Sequence, residues 1–285
     1  MLIAGRVALK QHRAEVALAS VGALVVGSVA LLFYLTSAGA PSDEVTSYIL
    51  GAMKVLPFAL GLVGGIPIVS RELEARTAQV AWSLNSSRRR WLIRQVVPIA
   101  ILLGTAMSFA ALATLAIAGP REAIGEQAVA NIGSHGVPAV ARAAAAFGVG
   151  LFVGAFFGRA LPALIIGAVL VLGLFSIASS ARDMWIANLS PVVPLTQHES
   201  MIQTGWAMVT PDGDRISVDE AMTRVPADEQ EPETWLEANG YQWLALGVDR
   251  ARAMQFEWYD AGFFAVVGLF GIAGTVLIVD RRRPR

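Results

Sequence analysis

The stretch Val16–Ser42, VALASVGALVVGSVALLFYLTSAGAPS, runs for 27 residues without one charged side chain. A helix that crosses a bilayer needs about 20 mostly apolar residues. Five more charge-free stretches follow: Val55–Ser70, Gln95–Pro120, Ala143–Gly158, Ala160–Ala181 and Ala261–Val279. Two of them are only 16 residues long. The first of these extends outward to about Tyr48, placing Lys54 near the interface. The other extends to about Ala139, placing Arg142 likewise. Long side chains at such positions snorkel to the polar boundary. The fold class expected is an all-α integral membrane protein of six transmembrane helices. An N-terminal interfacial helix precedes them, and a helical extracytoplasmic segment lies between spans five and six. Ala38-Gly39-Ala40 has the small-x-small look of a signal-peptidase site, but the apolar run before it exceeds the 7–15 residues of a signal core. It reads as an uncleaved anchor.

Composition agrees. The 285 residues are 55% apolar and 15% charged, with a mean hydropathy of +0.58, where globular domains carry about 25% charge. Such a chain cannot cover a soluble surface, so a soluble enzyme and a disordered protein are both excluded. With no cysteine, disulfide scaffolds, thiolate metal sites and catalytic thiols are excluded too.

Net charge is zero, from 22 basic and 22 acidic side chains. Their distribution is uneven. With the N-terminus inside, the inner segments are residues 1–15, 71–94, the Arg159 turn and 280–285. They hold 14 basic and 4 acidic side chains, and everything else holds 8 and 18. The positive-inside rule therefore places both termini in the cytoplasm. The chain divides into an interfacial helix (1–15), spans one to five (16–180, with an inner segment at 71–94), an extracytoplasmic segment (181–259), the sixth span (260–279) and a basic tail (280–285).

Arg6, Lys10 and Arg13 share one face of the first piece, which suits a helix lying on the membrane surface. In 181–259, Ser217-Val218-Asp219-Glu220 has capping-box spacing for a short helix. Pro232–Asn239, closed by Gly240, reads as a second helix, and Tyr241–Glu257 as a third that leads into the last span. Val209–Asp214 marks a turn. Gly61 and Gly65, and then Gly150, Gly154 and Gly158, have the small-xxx-small spacing that lets helices approach closely, within one chain or between two.

Catalytic signatures are missing. The only lysines are Lys10 and Lys54, and neither sits in the G-x-x-x-x-G-K-[ST] loop that cradles nucleotide phosphates. His198-Glu199 lacks the second histidine of a zinc-protease helix, and the three histidines fall in separate segments. No span is expected to carry a buried carboxylate, so a proton relay has nothing to run on. The chain reads as a non-enzyme.

Segment 71–94, RELEARTAQVAWSLNSSRRRWLIR, is charged at both ends and apolar in the middle around Trp82. An apolar face on a soluble segment suggests that something docks there. The segment resembles the permease subunits of ABC-2 type exporters, particularly those of high-GC bacteria. In that family the second span runs into R-E-x-E-x-G-T, then an apolar helix, then S-R-x-R-W. The counterparts here are Arg71-Glu72-Leu73-Glu74-Ala75-Arg76-Thr77, the stretch through Ala81-Trp82, and Ser86-Ser87-Arg88-Arg89-Arg90-Trp91. Arg76 stands where the family has glycine, a position that a permissive backbone would suit.

The resemblance implies a coupling helix seated in a separate ATPase. Arg71, Glu72, Glu74, Arg76, Thr77, Trp82, Arg88, Arg89 and Arg90 would form the coupling segment. It implies two ATPase copies, a second permease chain (identical or a sister), and a place in the bacterial plasma membrane. ATP and magnesium would be held by the ATPase, with no cofactor in this chain. The cargo would be a drug, a peptide or a lipid-like molecule, with membrane lipid around it and no nucleic acid. The alternative is a non-transporting immunity or sensor component that binds a peptide or antibiotic through its extracytoplasmic segment.

Overall fold

The computed structural model describes residues 13–37, 43–77, 82, 87–124, 131–189, 193–194, 201–226 and 231–282. The expected interfacial helix at 1–15 falls almost wholly outside them. By contacts the chain divides into one unit of Met1–Pro120, Asn131–Ala181 and Phe256–Arg285, and a second of Arg121–Ala130 and Arg182–Gln255.

The first unit is helical. Its elements are α1 (Arg13–Thr36), α2 (Asp43–Glu74), α3 (Arg88–Ile124), α4 (Gly136–Phe157), α5 (Ala160–Leu189) and α8 (Arg250–Arg281), of which α3, α5 and α8 have residues in the second unit as well. Among the described residues, six helices are long and apolar enough to cross a membrane. Hydrocarbon offers no partner for a free N–H or C=O, so a spanning segment must satisfy its backbone internally, and the helix does this. Pro57 and Pro67 lie inside α2 rather than at its ends, as membrane helices tolerate when neighbours support the backbone.

The most extensive helix contact is between α2 and α4, and glycine makes it possible. A Cβ on Gly61 would lie 2.5 Å from the Ala143 carbonyl oxygen, and one on Gly154 would lie 2.6 Å from that of Ile66. The same applies at Gly65, where the clash would be with Phe147 O at 2.4 Å, while a Cβ on Gly150 would lie 3.2 Å from Ile66 N. Four of the five glycines singled out in the sequence thus form one seam within the chain. The fifth, Gly158, ends α4 instead. It takes the left-handed conformation (φ 65°) and its N–H bonds to Gly154 O, a conformation glycine reaches without a Cβ penalty. On its other side α4 meets α8 almost backbone to backbone, with Gly148 against Gly268 and Gly271.

The second unit corrects an expectation. Two of its short helices are where the sequence places them: α6 (Val218–Met222), with Ser217 Oγ accepting from Glu220 N, and α7 (Pro232–Ala238), followed by Gly240 at φ 83°. Residues expected to begin a third helix at Tyr241 instead form a strand. The unit holds a four-stranded antiparallel sheet ordered β1-β4-β2-β3, from Val193–Pro194, Met201–Val209, Arg215–Ser217 and Gln242–Asp249. β2 pairs with β3 across the Val209–Asp214 turn, and with β4 from Met201↔Asp249 to Val209↔Gln242, with an irregularity at Gln203/Gly205. Met208, Ile216, Ala221 and Leu236 make its core. The segment is therefore mixed α and β, whereas the membrane unit is all-α. Residues 241–249 mix helix formers (Gln242, Leu244, Ala245, Leu246) with strand formers (Tyr241, Trp243, Val248), so local propensity leaves the choice open. Only the distant partner β2 decides between them.

Candidate functional site

The arginine-rich connection between α2 and α3 is built on a helix end. Ala75 N bonds to Arg71 O, Arg76 N to Leu73 O, and Thr77 N to Glu72 O. The last two form the 5→2 and 6→1 pair of a Schellman cap, which requires a left-handed residue after the helix. That residue is Arg76, at φ 57°, the one non-glycine with positive φ among the described residues. The glycine of the resembling family would fit this position without strain. Glu72 is buried and accepts from the Thr77 hydroxyl, so it locks the same turn.

Across the connection, Ser87 caps α3. Its Oγ accepts from Arg90 N at 3.2 Å, and its carbonyl accepts from Trp91 N at 3.1 Å. Of the apolar middle, only Trp82 is described, and it does not face solvent. It is 7% exposed, edge-on to Trp91 at 6.2 Å, with the Arg88 guanidinium 4.9 Å above its ring. The expected docking face is, at this residue, part of the core. Trp91 and a cation offer the indole more contact than water does.

The charges of this segment mostly hold other helices. Arg88 Nη1 donates to the carbonyls of Val279, Asp280 and Arg282 at 3.3, 3.1 and 2.7 Å, closing the end of α8. Arg89 pairs with the Asp280 carboxylate. Glu74 accepts from Ala160 N at the start of α5 (3.3 Å), where a carboxylate also meets the positive end of the helix dipole. Arg71 pairs with Glu15 of α1. Arg282 donates to the last carbonyls of α4, at Ala155 and Phe156. Arg76, Thr77, Arg89 and Arg90 stay exposed. The α2–α3 connection is therefore tied directly to α1, α5 and α8. Arg282, Asp280 and Glu15 complete this network, and nothing local in the sequence marks them as its members.

A second charged site lies elsewhere in the helical unit. Arg142 of α4 does not snorkel. It is 1% exposed and bonds Asp260 of α8 twice at 3.0 Å. Phe58, Phe175 and Phe264 surround the guanidinium at 6.0, 5.3 and 5.4 Å. Gly133 leaves the room it occupies, since a Cβ there would overlap the guanidinium carbon. Asp260 is itself 8% exposed, so the last membrane helix does carry a buried carboxylate. The sequence scan set its boundary one residue past it.

A family model described as ABC-2 membrane transporter related matches residues 15–182. The match ends where Arg182–Gln255, the longer stretch of the sheet-bearing unit, begins. No curated protein and no solved structure matches the chain.

Proposed function

The chain belongs to the ABC-2 membrane transporter related family, and on that premise we propose that it is the membrane-spanning half of an ATP-driven exporter. It is a multi-pass membrane protein and the membrane component of an ABC-type system. In our reading both termini and the α2–α3 connection face the cytoplasm of a bacterial cell. A separate ATPase binds ATP and magnesium and docks on that connection. Two permease chains and two ATPases work together to move a drug, peptide or lipid-like cargo outward.

The observation that carries this reading is the wiring of the α2–α3 connection. A transporter chain without a phosphate-binding loop needs free energy delivered from outside. A docked ATPase that pushed on this connection would act at once on α1 through Arg71–Glu15, on α5 through Glu74, and on α8 through Arg88 and Arg89. A connection whose flanking charges hold several spans suits that task better than an untethered hairpin would.

The test is co-expression with the ATPase subunit that copurifies with the wild-type chain, in matched detergent. Arg76→Glu reverses an exposed charge without touching a buried contact, and removal of residues 78–84 deletes the middle of the connection. The expected result is loss of the ATPase in both variants, with Arg76→Glu the one that stays fully folded, since the deletion also removes the buried Trp82. Full retention of the ATPase, with ATP hydrolysis still responding to the permease, overturns the proposal.

A further inference from the structure

The face of α3 turned toward α4 and α8 does not close on them. Three cavities of about 480, 160 and 420 Å³ run end to end along it. The first two share Val96, Ala100 and Ile272, and the second and third share Val140. Leu92 lines one end and Leu115 the other, a helical rise of about 35 Å. That is about the length of one extended phospholipid, acyl chain and headgroup together.

The walls are graded. Apolar side chains and glycine line the first two cavities, with the Thr275 hydroxyl the exception, whereas Ser108, His135, Glu257 and Trp258 all line the third. Trp258 is 63% exposed there, and tryptophan favours the membrane–water boundary. A site for a drug or peptide would show polar groups converging on its middle; this groove has none there. The middle cavity, lined by Gly61, Leu103 and Gly104, holds about 160 Å³, a volume that suits a length of polymethylene chain rather than a helix about 10 Å across. Left unfilled, the lining atoms would lose their dispersion contacts.

We propose that this groove binds one phospholipid lengthwise, its acyl chain along α3 and its headgroup at the Ser108, His135 and Glu257 end. The Glu257 carboxylate suits a headgroup bearing an ammonium, of the phosphatidylethanolamine kind, over a purely anionic one. The lipid completes the packing of α3 against α4 and α8.

Gly104 gives a clean test, because a Cβ added there meets nothing within 4 Å. Gly104→Leu fills the groove from its wall. Gly173→Leu on α5 is the control, equally open and away from the groove. The wild type and both variants are reconstituted into nanodiscs of equal phosphatidylethanolamine and phosphatidylglycerol, released into mild detergent and weighed by native mass spectrometry. The wild type and Gly173→Leu are expected to retain one phosphatidylethanolamine that Gly104→Leu loses. Independently of any variant, chain-labelled phosphatidylethanolamine is expected to show a motionally restricted spectral component with the wild type that unlabelled phosphatidylethanolamine displaces. Equal retention by Gly104→Leu, preference for phosphatidylglycerol, or no restricted component overturns the proposal.

Discussion

Arg142 and Asp260 face each other across α4 and α8 in a two-pronged ion pair, both hydrogen bonds 3.0 Å long, inside a box of three phenylalanines. Such a pair is a poor source of stability, because burying two charges costs about as much as their attraction returns. It is nonetheless a strong constraint. Once the helices are assembled, neither ion can leave without stranding the other in an apolar site. The pair therefore fixes which residues of α4 and α8 meet, alongside the glycine contacts of Gly148 with Gly268 and Gly271.

Arg142→Ala is accordingly expected to destabilise the chain by about 3–5 kcal/mol, as loss of one partner of a buried pair does. Replacing both residues by leucine should cost far less than either single change. Equilibrium unfolding in mixed micelles measures this. Single variants that unfold at the wild-type midpoint would show that water reaches the pair.

Why this pair was not legible in the sequence is instructive. Apolar runs mark spans because hydrocarbon excludes charge, so a scan for charge-free stretches stops one residue short of Asp260 and just after Arg142. A partner 118 residues away cancels the cost, and nothing in either local sequence announces it. The same holds for β4, whose helix-compatible residues become a strand only because β2 lies beside them. Local signals survived intact. The Ser217 cap, the Gly240 turn and the six apolar helices are all where residue chemistry puts them, since each depends on neighbours within a few positions. At the arginine-rich end, the segment itself could be read from its charges. The internal targets of Arg88, Glu74 and Arg71 could not, because they lie on other helices.

Arg76 carries backbone strain that can be measured. An L-residue in the left-handed region costs roughly 1–2 kcal/mol that glycine avoids. Arg76→Gly is expected to stabilise the α2 cap by about 1 kcal/mol, and Arg76→Val to weaken it, because a branched Cβ tolerates positive φ worst. Hydrogen exchange at the amides of Arg76 and Thr77, which bond Leu73 and Glu72, reports the cap directly. It should slow in the first variant and quicken in the second. Unchanged exchange in both would mean that the turn opens without regard to this residue.

The α2–α4 seam predicts a contrast between glycines. Gly61→Ala forces a Cβ to within 2.5 Å of the Ala143 carbonyl oxygen, whereas Gly104→Ala meets nothing within 4 Å. The first should cost about 1–3 kcal/mol, as overpacking does. The second should be neutral or slightly stabilising, because alanine is the better helix former. Thermal unfolding of the two variants side by side decides it. Equal midpoints would mean that the helices separate at no cost.

The last expectation concerns Arg88, whose single nitrogen serves three carbonyls at the end of α8 while its guanidinium covers Trp82. Arg88→Ala uncovers both at once. Amide exchange around Arg282, whose N–H bonds to Ile278 O, should accelerate, and tryptophan emission should shift to the red as Trp82 meets water. The stability loss should be about 1–3 kcal/mol, the scale of hydrogen bonds to a charged group. Arg88→Lys keeps the charge but replaces the planar fork with a compact ammonium. It should restore part of the protection at Arg282 and less of the blue emission, because lysine stacks on an aromatic ring less well than arginine does. If the connection transmits force to α8 as proposed, Arg88→Ala also lowers stimulation of the partner ATPase while leaving its binding intact. Full stimulation beside a frayed α8 end would show that the force takes another route.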